Sequence, residues 1–189
     1  MKKFIALVAT SVLSVSAFAD ITATSVATWD ASATKDTTSA LVVTPLKSLS
    51  FQYAEGLKAF NTVDGAFDVT IEGQSGATDF TLKSQVVRNT LSRSADASTL
   101  DVGVAWNGTK LGATTETVLV DVGQKVTNDL VGVANGYNGS GRSSAQGKFT
   151  FSIDSATSDG TTAAQFADLV DGSWDGEVAV LFTANWKTP

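Results

Sequence analysis

The chain has 189 residues, with 13 basic against 19 acidic side chains and neither Cys nor His. Without those two residue types, thiol nucleophiles, Ser-His-Asp triads, His-based metal sites and disulfides are unavailable, so packing and hydrogen bonds alone must hold the fold. The acidic balance argues against nucleic acid, heparin or an anionic membrane surface as partner, since each needs a basic face.

Met1-Lys2-Lys3, an apolar run from Phe4 to Val15 and the small-residue pattern Ala17-Phe18-Ala19 make up the parts of a secretory signal peptide. The run is too short for a membrane anchor. Cleavage is expected between Ala19 and Asp20, which divides the chain into a signal peptide over 1–19, an N-terminal segment over 20–34 and one domain over 35–189, a length that suits a single core.

In the segment after the signal, Ile21, Ala23, Ala27, Trp29, Ala31 and Ala33 fall on one face of an extended strand, and mainly Thr, Ser and Asp30 fall on the other. Ser25 and Val26 interrupt the alternation. Pattern alone leaves two fates open for this strand, the first strand of its own domain or a strand donated to another subunit.

Alternation of large apolar and polar residues then recurs to the end of the chain, predicting an all-β sandwich. It is carried by Leu41 to Val43, Leu49 to Tyr53, Phe67 to Ile71, Phe80 to Leu82, Leu100 to Trp106, Val118 to Val122, Phe149 to Ile153 and Val178 to Trp186. Asp64-Gly65, Asn107-Gly108, Asn135-Gly136, Asn138-Gly139, Asp159-Gly160, Asp171-Gly172 and Asp175-Gly176 are read as turns. Asn107-Gly108 predicts a tight hairpin joining strands at about 99–106 and 115–122. The Gly-, Asn- and Ser-rich stretch 134–147 reads as a long loop before a strand at Lys148, and the spacing of Ala163, Phe166, Ala167 and Val170 predicts a short surface helix.

Few residues suggest chemistry. No spacing among Glu55, Glu72, Glu116 and Glu177 singles out the pair of carboxylates that a glycosidase needs. Asp168, Asp171, Asp175 and Glu177 form the densest acidic cluster, but Asp-Gly repeated around Trp174 is turn chemistry and falls short of a calcium site. No catalytic residue, metal ligand or cofactor is expected. Asn107-Gly108-Thr109 and Asn138-Gly139-Ser140 match the glycosylation sequon but are read as turn asparagines. Trp29, Trp106 and Trp186 stand at apolar-face positions of alternating strands, whereas Trp174 does not and is the one candidate for stacking on a sugar.

Several runs resemble a known family. Val26-Ala27-Thr28-Trp29, Lys35 to Ser39, Leu41 to Leu46, Phe51 to Gly56, Ala134 to Asn138, Phe149 to Ile153, Asp159 to Thr162 and Phe182 to Trp186 are similar to the major fimbrillin of the common pilus, or Mat fimbria, of enteric bacteria. The resemblance covers nearly the whole chain after the signal. It implies an immunoglobulin-like pilin of the alternate chaperone-usher class that lacks its own final strand and is completed by the N-terminal strand of the next subunit. The expected partners are identical pilin subunits, a periplasmic chaperone, an outer-membrane usher, a tip adhesin and a host cell surface. The expected location is a cell-surface fimbrium reached through the periplasm, with roles in adhesion and biofilm formation. Carried over by position, Ile21, Ala23, Ala27, Trp29, Ala31 and Ala33 face the acceptor groove of a neighbour, while Val178, Val180, Phe182, Ala184 and Trp186 line one groove edge and meet the chaperone. Thr188 stands where better-known pilins of this kind carry a penultimate aromatic residue. The readings set against this one are a secreted monomeric β-sandwich that binds carbohydrate and, more weakly, a carboxylate glycosidase.

Overall fold

The computed structural model describes residues 35–36 and 38–189. The signal peptide, its cleavage point at Ala19 and Asp20, and the strand carrying Ile21, Ala23, Ala27, Trp29, Ala31 and Ala33 lie outside the described residues. The strands are β1 (Leu41–Pro45), β2 (Tyr53–Ala54), β3 (Ala59–Phe60), β4 (Val63–Glu72), β5 (Asp79–Arg88), β6 (Thr90–Ser92), β7 (Thr99–Trp106), β8 (Thr109–Lys110), β9 (Thr117–Asp121), β10 (Arg142–Thr157), β11 (Ala163–Ala164) and β12 (Ala179–Lys187). One short helix, α1 (Val131–Gly136), precedes β10.

The main path of the large sheet runs β1-β4-β10-β7-β6, and a smaller sheet runs β12-β5-β9, with every pairing antiparallel. Alternation explains why these segments are strands. In β4, Phe67, Val69 and Ile71 point inward and are buried, as are Phe80, Leu82, Ser84 and Val86 in β5 and Leu100, Val102, Val104 and Trp106 in β7. The outward row of the large sheet is polar and pairs across strands. Lys148 meets Asp64 at 2.7 Å, and the Thr150 hydroxyl donates to the same carboxylate at 3.1 Å.

The two inner faces share one core. Phe67 of the large sheet packs edge-on against Phe182 of the small one with ring centroids 5.3 Å apart, and Phe149 lies 5.8 Å from the same ring. The order β1-β4-β10-β7 facing β12-β5 is that of an immunoglobulin-like sandwich. In such a sandwich a last strand stands beside the strand that β12 represents. Among the described residues, β12 pairs with β5 alone.

Five local expectations are corrected. Asn107-Gly108 does form the tight turn, with both residues at positive φ (47° and 80°), but the returning strand β8 has only two residues. The chain then crosses to the small sheet, where β9 pairs with β5 instead of β7. Asp64-Gly65 is no turn: both lie inside β4, where a Cβ on Gly65 would come within 2.4 Å of the Phe151 ring, so this glycine serves close packing. The stretch 134–147 contains the end of α1 and the start of β10 at Arg142, ahead of the predicted Lys148. The predicted helix over 161–170 is β11 plus a single 3-10 turn at Phe166–Asp168. Leu49 and Phe51 lean on the core from an irregular segment, with strand geometry only from Tyr53.

Candidate functional site: an open strand edge and its cleft

β12 is built like β5 and pairs with it rung for rung from Val180 to Lys187, after a register shift at Ala179, with Trp186 opposite Phe80, Ala184 opposite Leu82 and Phe182 opposite Ser84. The inward residues of β5 are sealed, with Leu82 fully buried and Phe80 and Ser84 each 1% exposed. On β12, Val180, Phe182, Ala184 and Trp186 are only half-buried although they lean on the same core, as is Val178 just before it. β1, at the corresponding edge of the large sheet, repeats this: Leu41 and Val43 are partly buried against the core, and the strand pairs with β4 alone. Two strand edges thus border apolar side chains that the described residues do not cover. Four of the five sequence-predicted edge residues, Val180, Phe182, Ala184 and Trp186, stand in one inward row of β12, and Val178 lies just before the strand.

Trp186 packs on Phe80 with ring centroids 5.1 Å apart, and its indole N–H is buried without a hydrogen-bond partner among the described residues. Such a donor is costly to leave unpaired. At the other end of the row the edge opens into a cleft of about 1070 Å³, lined by Leu49, Phe51, Leu91, Trp174, Val178 and Ala179 among others. One wall is an aromatic chain in which Tyr53 meets Phe60 and Phe60 meets Phe166, edge to face at 5.4 and 5.5 Å. Burial, followed by the nearby Glu55 and Asp168 charges, raises the pKa of the Tyr53 phenol.

The other wall is tied down by polar bonds. Arg93 donates to the Asp171 carbonyl at 2.5 Å, pairs with Asp96 at 2.6 Å and lies over the Trp174 ring at 5.6 Å. Backbone bonds between Ser92 and Asp175 run both ways, at 3.0 and 2.9 Å. The Trp174 indole donates to the Ser98 hydroxyl at 3.0 Å, and Ser98 in turn donates to Asp96 at 2.5 Å. Bonds from the Ser98 hydroxyl and backbone, with Arg93 alongside, hold the Asp96 carboxyl below its usual range. Trp174 therefore spends its N–H and one ring face inside the protein as a clamp for the cleft wall, which is a poor arrangement for a sugar platform.

The acidic residues near it are dispersed in the same way. Glu177 pairs with Arg88 at 2.7 Å, and among the described residues no group of acidic side chains is placed to hold a metal ion. The glutamates Glu72 and Glu116 are also engaged, with Arg142 and Lys83. Sequence reasoning missed the β1 edge, the Leu49 and Phe51 side of the cleft and the Arg93 clamp. Leu41 to Val43 carried the strand signal, but nothing local in it marks an uncovered edge.

A β-sandwich with an uncovered apolar edge at the place of its last strand is a domain whose edge is open to pairing with a further strand. A family model, Fimbrillin MatB, matches residues 22–186. A curated relative from Klebsiella pneumoniae (strain 342), named common pilus major fimbrillin subunit EcpA, is 53% identical over 173 residues, covering 90% of this chain and 89% of that protein. The protein of the same name from Escherichia coli (strain K12) is equally similar, with the same coverage. Among solved structures, the CooA pilin subunit from enterotoxigenic Escherichia coli aligns with a TM-score of 0.48 at 19% identity, covering 75% of this chain and 86% of that one. The chain belongs to the MatB fimbrillin family, pilin subunits of cell-surface fimbriae.

Proposed function

We propose that this protein is the major structural subunit of a chaperone-usher surface pilus, polymerising by donor-strand exchange and serving adhesion and biofilm formation. The observation that carries this reading is the half-buried inward row of β12 beside a strand edge without a partner among the described residues. The donor is the segment Asp20 to Thr34 of a neighbouring copy, with Ile21, Ala23, Ala27, Trp29, Ala31 and Ala33 on its apolar face. It pairs with the β12 edge and covers Val178, Val180, Phe182, Ala184 and Trp186. Before assembly a periplasmic chaperone holds that edge, an outer-membrane usher exchanges it for the donor, and a tip adhesin caps the fibre. The role is mechanical, with no catalytic residue and no cofactor.

Removing the donor would expose the whole inward row and both edges at once, so escape is slow and the fibre persists kinetically. Rapid subunit exchange between purified fibres at room temperature would contradict this. The primary test is an unheated denaturing gel of surface-sheared material from cells expressing the assembly genes, comparing the intact chain with one lacking Asp20 to Thr34. The expected result is a ladder that collapses to monomer on boiling and is absent for the deletion, with the shortened chain still exported. Monomer alone from the intact, exported chain would overturn the reading.

A further inference from the structure

The two ends of β12 are fastened in different ways. At its last residue the Lys187 carbonyl accepts two bonds from Thr78, one from the backbone N–H at 2.8 Å and one from the hydroxyl at 3.1 Å, and Trp186 packs on Phe80 beside them. Thr78 stands just ahead of β5, so this end is held by the neighbour in its own sheet. At the other end the rung pattern shifts at Ala179, and Val178 precedes the strand. The side-chain tie to β5 there is the Arg88–Glu177 ion pair, whose partners are 64% and 78% exposed, which makes it worth little.

The start of β12 is held from the opposite sheet instead. The strap 171–176 that leads into it runs beside β6 of the large sheet, and among the described residues its hydrogen bonds all go to residues 92–98. Arg93 is the centre of this attachment. Its side chain is only 12% exposed, and one face of the guanidinium holds Asp96 in its own loop while another nitrogen holds the Asp171 carbonyl of the strap. A rigid planar fork can make both bonds and still lie over the Trp174 ring. Two glycines flank Trp174 and allow the close approach. A Cβ on Gly172 would come within 2.4 Å of the Arg93 Nε, and one on Gly176 within 2.8 Å of the Thr90 carbonyl.

We infer that Arg93 is a positioning residue for the open edge: reaching from the large sheet, it latches the strap 171–176 and so fixes where β12 begins, with Val178 and Ala179 set at the wall of the cleft. Release of the latch frees that end alone, because the bonds of Thr78 to Lys187 and the rungs from Val180 onward do not depend on it. The consequence for a fibre rests on the donor-strand reading above. A strand laid along this edge keeps its cover at the cleft for as long as Arg93 holds the strap, so the latch sets how long a joint between subunits lasts.

Gly172→Ala is the decisive variant, because its methyl displaces the guanidinium, the free end of a flexible side chain, and leaves the Arg93 charge and the 92–98 loop in place. Arg93→Ala reaches the same state by removing the donor. In hydrogen exchange on the exported full chain, both variants should speed exchange of the Asp175 amide and of the first amides of β12 by about tenfold or more, the size of one lost charge-assisted bond. Amides of β5 and of Thr183 to Lys187 should keep the rates of the intact chain. At one fixed temperature in denaturant, ladders of both variants should collapse about tenfold faster than those of the intact chain. Arg88→Ala, which cuts only the exposed pair with Glu177, should change neither reading. Unchanged exchange at Asp175 in both variants, exchange that rises equally throughout β5, or ladders that collapse at the intact rate would each overturn the latch. Absence of any ladder from the intact chain instead removes the donor-strand reading, and the exchange comparison still decides whether Arg93 positions the edge.

Discussion

β5 and β12 lie side by side in one sheet, with matching alternation and opposed rungs, and differ in what stands on their far sides. β5 has β12 on one flank and β9 on the other, and its inward residues are sealed. β12 has a partner on one flank only among the described residues, and its inward residues remain half open. The lesson is that burial of a strand's apolar row depends on its neighbours in the sheet as much as on its own sequence. An edge strand that keeps a full apolar row stays open to pairing with another strand.

The sharpest way to break this comparison is to cut the same sheet on either side. Leu82→Ala should cost the free subunit about 2–5 kcal/mol in denaturant unfolding, because the cavity forms where nothing else can fill it. Phe182→Ala, one rung along on β12, removes more atoms yet should cost the free subunit less, since part of that side chain is already exposed; an equal or larger loss would show that the edge is as sealed as β5. A smaller change tests the tightness of the closed side. Gly65→Ala forces a methyl into the Phe151 ring and should destabilise by about 1–3 kcal/mol. Ala184→Val on the open row should leave the free subunit within about 0.5 kcal/mol, as surface changes do.

Smaller again is the clamp on the cleft wall. Ser98→Ala removes the acceptor of the Trp174 indole and one donor to Asp96, and should cost about 0.5–1.5 kcal/mol with an accompanying change in tryptophan emission. Unaltered emission would place Trp174 elsewhere in solution. The least effect is expected from pH. Bonds to the Lys148 ammonium hold Asp64 low, and bonds from the backbone and hydroxyls of Thr162 and Thr161 do the same for Asp159. A carboxyl depressed in the folded state gives stability that is present above its unfolded pKa of about 3.9 and is lost as pH falls toward the folded value. With no His in the chain, the urea midpoint should be flat from about pH 5.5 to 8 and fall only below about pH 4. A midpoint that moves between pH 6 and 7 would contradict this account.

The strands that were legible in the sequence are those with a large apolar residue at every second place, such as Phe67 to Ile71, Leu100 to Trp106 and Phe149 to Ile153. The start of β10 was not, because Arg142 to Lys148 carries Ser, Ala, Gln and Gly and is positioned by pairing with β4. The apolar spacing at 163–170 suggested a helix, but it belongs to a short strand pair and a 3-10 turn, where contact with β10 and the core outweighs periodicity. The row Val178 to Trp186 was legible as a strand face. Its openness was not, because Phe182 and Leu82 alternate alike in sequence and differ only in what pairs beside them.

β12 closes the small sheet, and its only partner among the described residues, β5, lies in the first half of the chain. Ordering this pair requires closing a loop that holds most of the domain, which makes it a slow, late step in folding. During that interval one edge of β5 is itself unpaired, because β12 is its neighbour on that flank. Until β12 arrives, that unpaired edge of β5 is open to misassembly, so the last strand of the small sheet also limits how long the folding chain is exposed to wrong pairing.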